Sequence, residues 1–474
     1  MIRFHLKDII GGTGGSLISS AVGPELFTGV SIDSRTIKSG EIFFALRGEF
    51  HDGHDYLREA AERGATLTVV DASAAIKDIE LAPVPIIVVK DTLKALQSMA
   101  SWWRDRHTLP VLTVVGSVGK TTTKEMIASI LSTAGPCLKN QGNLNNHIGL
   151  PLSMLELADY HHHAILEIGA NLPGEVRYLT SLLKPVAAVI TRIGWAHLEG
   201  FKTSENLVIE KGSVLKGLPE SGWCAINADD PNQAGFHKIA ACGEVITYGI
   251  GSGDVTAEEI TLSEAETSFT LITPSGQEKV HLRGFGRHFV ENALAAVAAT
   301  LPLQLSVEQK VAGLGAWRPA DGRGEVSSPF PGVHFIDDTY NANPLSVQVA
   351  LASLAQLRQE GVTVAVLGEM KELGEFFENG HIQAGSDAAR LGIDYLIAVG
   401  PAAHFIARGA REGGMDPAKI TECENNDEAA LSLDPLLTEG VWVLFKGSRA
   451  AKMEQIMESF GEFFGDNRAN SGGT

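Results

Sequence analysis

The chain has 474 residues, of which 44% are apolar, and a formal net charge of −19. A field of that sign repels nucleic acid and anionic membrane surfaces, so neither is an expected partner, and an anionic substrate must be met by local N–H groups, Lys or Arg, and Mg2+. The four cysteines, Cys137, Cys224, Cys242 and Cys423, form no C-x-x-C pair, which argues against a disulfide framework or a zinc site. No stretch reaches the ~18 apolar residues of a membrane span, and no apolar run precedes a small-residue cleavage site near Met1. A soluble, monomeric protein of the reducing cytoplasm is expected.

At roughly 100–200 residues per domain, the length suits two to four domains. In residues 1–107, Glu41–Leu46 and Pro85–Val89 read as strands and Tyr56–Arg63 as a helix, making a small N-terminal α/β domain. The polar stretch Arg104-Asp105-Arg106-His107 marks its boundary. A second segment, 108–317, opens with the continuous apolar run Val111–Val115, the pattern of a parallel strand buried on both faces. A glycine-rich turn follows, then a helix with Ile127, Ile130, Leu131 and Ala134 at i, i+3, i+4, i+7. Ala164–Ile168 and Val186–Ile193 extend the sheet. In the third segment, 318–474, Val333–Thr339, Val362–Leu367, Tyr395–Val399 and Val441–Phe445 are strands with helical stretches between them. Asn343 can cap the first of those helices, with Pro344 in its first turn. Strand–helix alternation predicts parallel sheets covered by helices, with ligands at the carboxyl ends of the strands. The expected fold is therefore α/β in three domains: the N-terminal domain, a central P-loop parallel-sheet domain and a C-terminal Rossmann-like domain.

The strongest local signal is Gly116-Ser117-Val118-Gly119-Lys120-Thr121-Thr122, between a strand and a helix. Backbone N–H groups of such a loop and the positive helix end bind phosphate oxygens. Lys120 would neutralise the β- and γ-phosphates of ATP, and the Thr121 hydroxyl would ligate Mg2+. The pattern G-x-x-x-x-G-K-[ST] asks for Gly at 114, where this chain has Val114. Glu167 ends an apolar strand. A charge placed there needs a partner, and Mg2+, which prefers oxygen ligands, is one. His197, after the next strand, is a possible second metal ligand, although imidazole is unusual for Mg2+. Lys211 reads as solvent-facing on its own pattern. The run His161-His162-His163 precedes a strand and reads as surface.

The form G-[ST]-x-G-K-T-T resembles that of the Mur ligases and folylpolyglutamate synthases. Further segments extend the resemblance from about Asp33 to Met453: Gln141-Gly142-Asn143-Leu144-Asn145-Asn146, Ala196-His197-Leu198-Glu199-Gly200, Gly286-Arg287-His288 with Asn292, and Lys446-Gly447-Ser448-Arg449. Asp321-Gly322-Arg323 is similar to the family's P-G-R, with Asp in place of Pro. Asp337-Asp338-Thr339-Tyr340-Asn341-Ala342-Asn343 and Gly368-Glu369-Met370-Lys371-Glu372-Leu373-Gly374 resemble the branch of the family that adds the dipeptide D-Ala-D-Ala.

The resemblance implies an ATP-dependent, amide-forming ligase of peptidoglycan synthesis that joins D-Ala-D-Ala to UDP-N-acetylmuramoyl-tripeptide through an acyl-phosphate. It implies metal binding by Thr121, Glu167 and His197, and a carbamylated Lys211 that helps hold Mg2+. Lys120, Lys211, His197 and Arg323 become the catalytic candidates. Asn292 would face the adenine, Arg323 the γ-phosphate, and Asp337 (with Asp338 as the alternative) the ribose, while Tyr340 and Asn341 line the nucleotide site. Ser34 and Arg35 would bind the UDP end of the precursor, and Asn143, Asn145 and Asn146 would lie near its muramyl peptide. Lys446, Ser448 and Arg449 suit a carboxylate or phosphate.

Overall fold

The computed structural model describes residues 4–18, 25–72, 84–194, 201, 203–263 and 266–461. Three mostly parallel sheets follow one another along the chain. The first has five strands, ordered Ser16–Leu17, Ile86–Val89, Leu67–Asp71, Glu41–Phe44 and Gly29–Ser31. Its interior pairings are parallel and its short edge strand Ser16–Leu17 is antiparallel. The expected helix appears as Leu57–Glu62 after a 3-10 turn, Gly53–Tyr56.

The second sheet has six strands, all parallel: Glu244–Tyr248, Trp223–Asn227, Ala187–Ile190, Val111–Val115, His163–Glu167 and Cys137–Lys139. Val111–Val115 lies between Ala187–Ile190 and His163–Glu167, which explains why every one of its residues is buried and apolar or, like Thr113, internally bonded. The chain order reverses beside this strand. That crevice is where ligands bind on open α/β sheets, and the phosphate loop and Glu167 both open into it. In the helix after the loop, Lys120–Leu131, residues Ile127, Ile130 and Leu131 are buried as the periodicity predicts, while Ala134 lies in a 3-10 turn beyond the helix end. The histidine run begins the strand His163–Glu167, with His162 exposed and its neighbours half-buried.

An element the sequence reading did not anticipate follows. Thr256–Leu262, Glu266–Thr273 and Gly276–Arg283 form an antiparallel three-stranded sheet. Its alternating inward residues Phe269, Leu271, Val280 and Leu282 pack with the alanine-rich helix Arg287–Thr300, which is buried almost all round. The third large sheet is ordered Glu325–Phe330, Val333–Asp337, Val441–Lys446, Val362–Leu367, Tyr395–Val399 and Ile420–Cys423, and is parallel except for its first edge strand. Asn343 caps the helix Pro344–Gln356 as expected, accepting from Ser346 N at 2.8 Å.

Within the polar stretch 104–107, read from the sequence as a boundary, Arg104 and His107 are buried while Asp105 and Arg106 are exposed. The Arg104 guanidinium donates to the carbonyls of Leu183 (3.1 Å) and Lys184 (3.4 Å) at the end of the helix Glu175–Leu183, and to that of His107. These carbonyls are among the orphan acceptors of a helix C-terminus, where a cation is favoured. The helix Thr92–Arg104 is thereby fastened to the second sheet, and one apolar core runs from Phe4 to Phe236. Among the described residues no helix is long and apolar enough to cross a membrane. Arg104→Met keeps the aliphatic packing but strands these carbonyls. It is expected to cost about 2–4 kcal/mol, by the penalty for unsatisfied buried polar groups, read as a lowered urea midpoint; an unchanged midpoint would show that the joint carries no stability.

Candidate active site

A cavity of about 590 Å³ lies between the carboxyl ends of the second and third sheets. Its floor is the phosphate loop. Gly119 has φ +85°, and a Cβ there would come within 2.4 Å of Asn292 Oδ1. A Cβ at Gly116 would lie 1.9 Å from Thr191 Oγ1. Both glycines are required by close approach. The N–H groups of Ser117 and Val118 donate to the Arg192 carbonyl at 2.9 and 3.2 Å, which anchors the loop's entry and leaves the opening turn of the helix, Lys120 to Thr122, lining the cavity. Val114 is still inside the strand, paired with Glu167 and Val189, so a glycine there would only weaken the sheet.

Glu167 is buried at the end of its strand. Its Oε2 accepts from Thr121 Oγ1 at 2.8 Å and its Oε1 from Asn145 Nδ2 at 2.7 Å. Its backbone N–H donates to Asn140 Oδ1 at 2.9 Å, while Asn140 Nδ2 donates to Leu144 O at 2.9 Å. The fully buried Lys124 donates to the Asn140 carbonyl at 2.6 Å. Lys124 and Asn140 were not foreseen from the sequence, yet they fix the backbone that carries Glu167. The Thr121 hydroxyl and the Glu167 carboxylate form a hard-oxygen pair facing the phosphate loop. This suits Mg2+, which keeps several waters and takes one or two carboxylates together with substrate phosphates. Among the described residues no group of three or more His, Cys, Asp or Glu gathers as a metal cage. His197 lies outside the described residues.

Lys211 departs from its solvent-facing reading. It is buried on the helix Ser204–Gly212, lines the cavity and donates to the Ala170 carbonyl at 3.1 Å. Burial, reinforced by the Lys120 charge, pushes its amine down to about 7. Its neighbour Glu210 accepts from Gly174 N and Val176 N, both at 2.7 Å, capping the helix Glu175–Leu183 and pinning the Lys211 helix to it. Burial also lowers the Lys120 amine, with Arg323 acting in the same direction and the carboxylates of Glu167 and Glu372 opposing it.

The roof comes from the third sheet. The Arg323 guanidinium stacks on the Tyr340 ring, 4.0 Å from its centroid, and reaches Thr121 Oγ1 at 3.4 Å. Asp321 is exposed, while Arg323 turns inward. Of the two adjacent aspartates, the favoured Asp337 ends the strand with its carboxylate accepting from the Thr339 N–H and hydroxyl, and it does not line the cavity. Asp338, one residue on and on the opposite side, does line it, ion-paired with the buried Lys446 at 2.6 Å. Lys446 Nζ also donates to the Asn341 carbonyl at 3.0 Å. Asn341, Ser448 and Arg449 complete this wall, and the buried Ser448 hydroxyl has no hydrogen-bond partner among the described residues.

At the other end, Asn292 accepts from Thr123 Oγ1 at 3.3 Å. Arg192 and Glu291 pair at 2.8 Å beside Tyr248 and Asn227, a group absent from the sequence reading. Burial holds His288 down at about 4, so its imidazole is neutral at pH 7. Asn143, Asn145 and Asn146 line the cavity as a loop. Ser34 and Arg35 do not. Ser34 is buried, donating to Glu59 Oε2 at 3.2 Å, and Arg35 is exposed in a bidentate pair with Asp33 (2.9 and 2.7 Å) that holds that carboxyl down at about 2.

Known proteins resemble this chain in sequence and in fold. The family models described as Mur ligase family, catalytic domain; Mur ligase middle domain; and Mur ligase, glutamate ligase domain match residues 26–104, 114–300 and 322–449. The UDP-N-acetylmuramoyl-tripeptide--D-alanyl-D-alanine ligase of Escherichia coli K12 is 35% identical over 437 residues, covering 91% of this chain and 93% of that protein. A crystal structure of MurF from Acinetobacter baumannii superposes with a TM-score of 0.88 at 33% identity, covering 97% of this chain and 98% of the other. The MurF ligase of Thermotoga maritima in complex with ADP gives a TM-score of 0.80 at 28% identity, with coverages of 91% and 96%.

Gly119→Ala forces a left-handed alanine, at about 1–2 kcal/mol, and displaces Asn292. Calorimetric titration with ADP is expected to show at least about tenfold weaker binding; unchanged affinity would mean that the loop does not contact the nucleotide.

Proposed function

The chain belongs to the Mur ligase family, and from that premise we propose that it uses ATP to join D-Ala-D-Ala to the terminal carboxylate of UDP-N-acetylmuramoyl-tripeptide, releasing ADP and phosphate, in peptidoglycan synthesis. The observation that carries this reading is the shared cavity. Groups of the second sheet suited to phosphate and metal (Lys120, Thr121, Glu167) face cations of the third (Arg323, Lys446), so a nucleotide and a carboxylate substrate can meet in one cavity. The working domains are taken as 1–107, 108–317 and 318–474. The protein is taken to act as a monomer, and four cysteines without disulfides fit the reducing cytoplasm.

A carboxylate is a poor electrophile with no usable leaving group, and phosphorylation remedies both defects. The tripeptide carboxylate attacks the γ-phosphorus of ATP while the loop N–H groups hold the phosphates. Lys120 and Arg323 stabilise the charge spread over the transferring phosphoryl oxygens. Mg2+, held by Thr121 and Glu167 with His197 as a further ligand, would add charge neutralisation when bound. Asn292 orients the base and Asp338 the ribose, with Tyr340 and Asn341 beside them. In the first domain, Ser34 and Arg35 mark the UDP end, and the loop of Asn143, Asn145 and Asn146 guides the peptide towards the phosphates. Lys446, Ser448 and Arg449 offer cations and a hydroxyl to the dipeptide carboxylate. Water would hydrolyse the acyl-phosphate, so closure of the third domain over the cavity is expected.

Lys211 is a carbamate site in this scheme. A free amine, not an ammonium, takes up CO2, and burial supplies one near neutral pH. Carbamylation would turn a cation beside Glu167 into an anion that helps hold Mg2+.

Phosphate release from ATP is expected to require both UDP-N-acetylmuramoyl-tripeptide and D-Ala-D-Ala, with the pentapeptide product detected by mass; steady release with neither substrate would make the protein a plain ATPase instead. With 13C-labelled bicarbonate, a carbamate carbon resonance should appear and strengthen as pH rises through about 7, and it should vanish in Lys211→Arg. The same resonance persisting in that variant would place the carbamate elsewhere.

A further inference from the structure

Resting on the ligase reading, we propose that Glu372 receives the ammonium group of the incoming amine and takes its proton as the nitrogen attacks the acyl-phosphate.

Glu372 sits in the loop that follows the strand Val362–Leu367, at the sheet's carboxyl end. The loop is pinned on both sides of it. Gly368 N donates to the Lys446 carbonyl at 2.8 Å, Met370 N to His381 Nε2 at 2.8 Å, and Ser448 N to the Glu369 carbonyl at 2.8 Å. Met370 and Leu373 are buried in the core of the third sheet. Between these anchors Glu372 is held at φ +63°, in the left-handed region. That conformation costs a non-glycine residue roughly 1–2 kcal/mol and persists only where the surroundings over-determine it, most often at functional sites. A glycine would sit there without strain. The strain presents a carboxylate to the cavity, across from Lys120, on whose charge it acts.

Within the cavity lining Glu372 is close enough to Lys120 for the two charges to act on one another. It lies on the same wall as Lys446, Ser448 and Arg449, so one wall offers an anion for the ammonium and cations for the carboxylate of a zwitterionic dipeptide.

The chemistry requires such a group. An α-amino group has a pKa of about 7.7–8.0, so at neutral pH the amine arrives mostly protonated and unable to attack. One proton passes from the ammonium to the Glu372 carboxylate as the nitrogen lone pair forms the C–N bond at the acyl carbon. The C–O bond to phosphorus's oxygen then breaks, its electron pair leaving on phosphate, and the second nitrogen proton goes to that phosphate.

Hydroxylamine, which is unprotonated at neutral pH, separates this role from support of phosphoryl transfer. The experiment compares wild type, Glu372→Gln, Glu372→Asp and Glu372→Gly, each with ATP and UDP-N-acetylmuramoyl-tripeptide, using D-Ala-D-Ala or hydroxylamine as the acceptor. Glu372→Gln and Glu372→Gly are expected to lose about 100-fold or more in pentapeptide formation while hydroxamate formation stays within about threefold of wild type. Glu372→Asp should recover part of the loss. Glu372→Gly relieves the backbone strain, so its melting temperature should not fall, which separates the chemistry from folding. Parallel loss of both products would assign Glu372 to Lys120 and phosphoryl transfer and overturn the proposal, as would unchanged pentapeptide formation. Absence of hydroxamate in the wild type would overturn the ligase reading itself.

Discussion

A single buried carboxylate organises the centre of this molecule. Glu167 ends a strand inside the second sheet, and its hydrogen-bond donors, Thr121 and Asn145, are neutral. Neutral donors do not repay the removal of a full charge from water, so the position demands cations nearby. Lys120 and Lys211 supply them: the Glu167 charge opposes the lowering of both amines. The two lysines in turn repel one another, which is part of why Lys211 sits near 7. Both amines line the cavity beside this carboxylate. An incoming anion is the natural complement, and a phosphate on the loop of Gly116 to Thr122 is placed to provide it.

The same logic governs how the third sheet meets the second. Arg323 reaches Thr121 while stacked on Tyr340, a geometry that suits the planar guanidinium better than an ammonium. Asp338 neutralises Lys446, so that lysine can remain buried on the cavity wall without a ligand. In a chain with a net charge of −19, the cavity lining nevertheless holds more Lys and Arg than Asp and Glu. Long-range repulsion of a nucleotide is overcome locally, where distances are short and solvent screening is weak.

Much of this was legible in the sequence because buried parallel strands write themselves as unbroken apolar runs. Val111–Val115, Val362–Leu367 and Tyr395–Val399 were bounded to the residue. The antiparallel sheet of residues 256–283 was not foreseen, since its strands alternate buried and exposed residues and carry no chemical motif. The burial of Arg104 and His107 was not legible, for a physical reason. Polar residues usually mark solvent, but an arginine that finds the carbonyls of a distant helix end can be buried at a joint, and those carbonyls lie some 80 residues away in sequence. Lys211 inverted in the same way, because nothing local reveals that Ala170 and Phe201 will cover it. Which of Asp337 and Asp338 lines the cavity depends on the side of a strand end from which each carboxylate leaves, which spacing alone does not fix.

The residues hardest to read are those that act through the backbone. Lys124 and Asn140 are not part of the cavity lining, yet the ammonium of one holds the carbonyl of the other, whose side chain accepts from the Glu167 N–H and ties down the loop at Leu144. The next residue of that loop, Asn145, completes the circuit on the Glu167 carboxylate. The phosphate-loop helix, the strand end and the substrate-side loop therefore cannot move independently. A shift of the Asn143–Asn146 loop on substrate binding would be felt at Glu167, and through it at Thr121 and Arg323. The geometry of the peptide end and that of the phosphates are set by one hydrogen-bonded ring. This gives the fold a physical means of making phosphoryl transfer depend on a correctly seated peptide carboxylate.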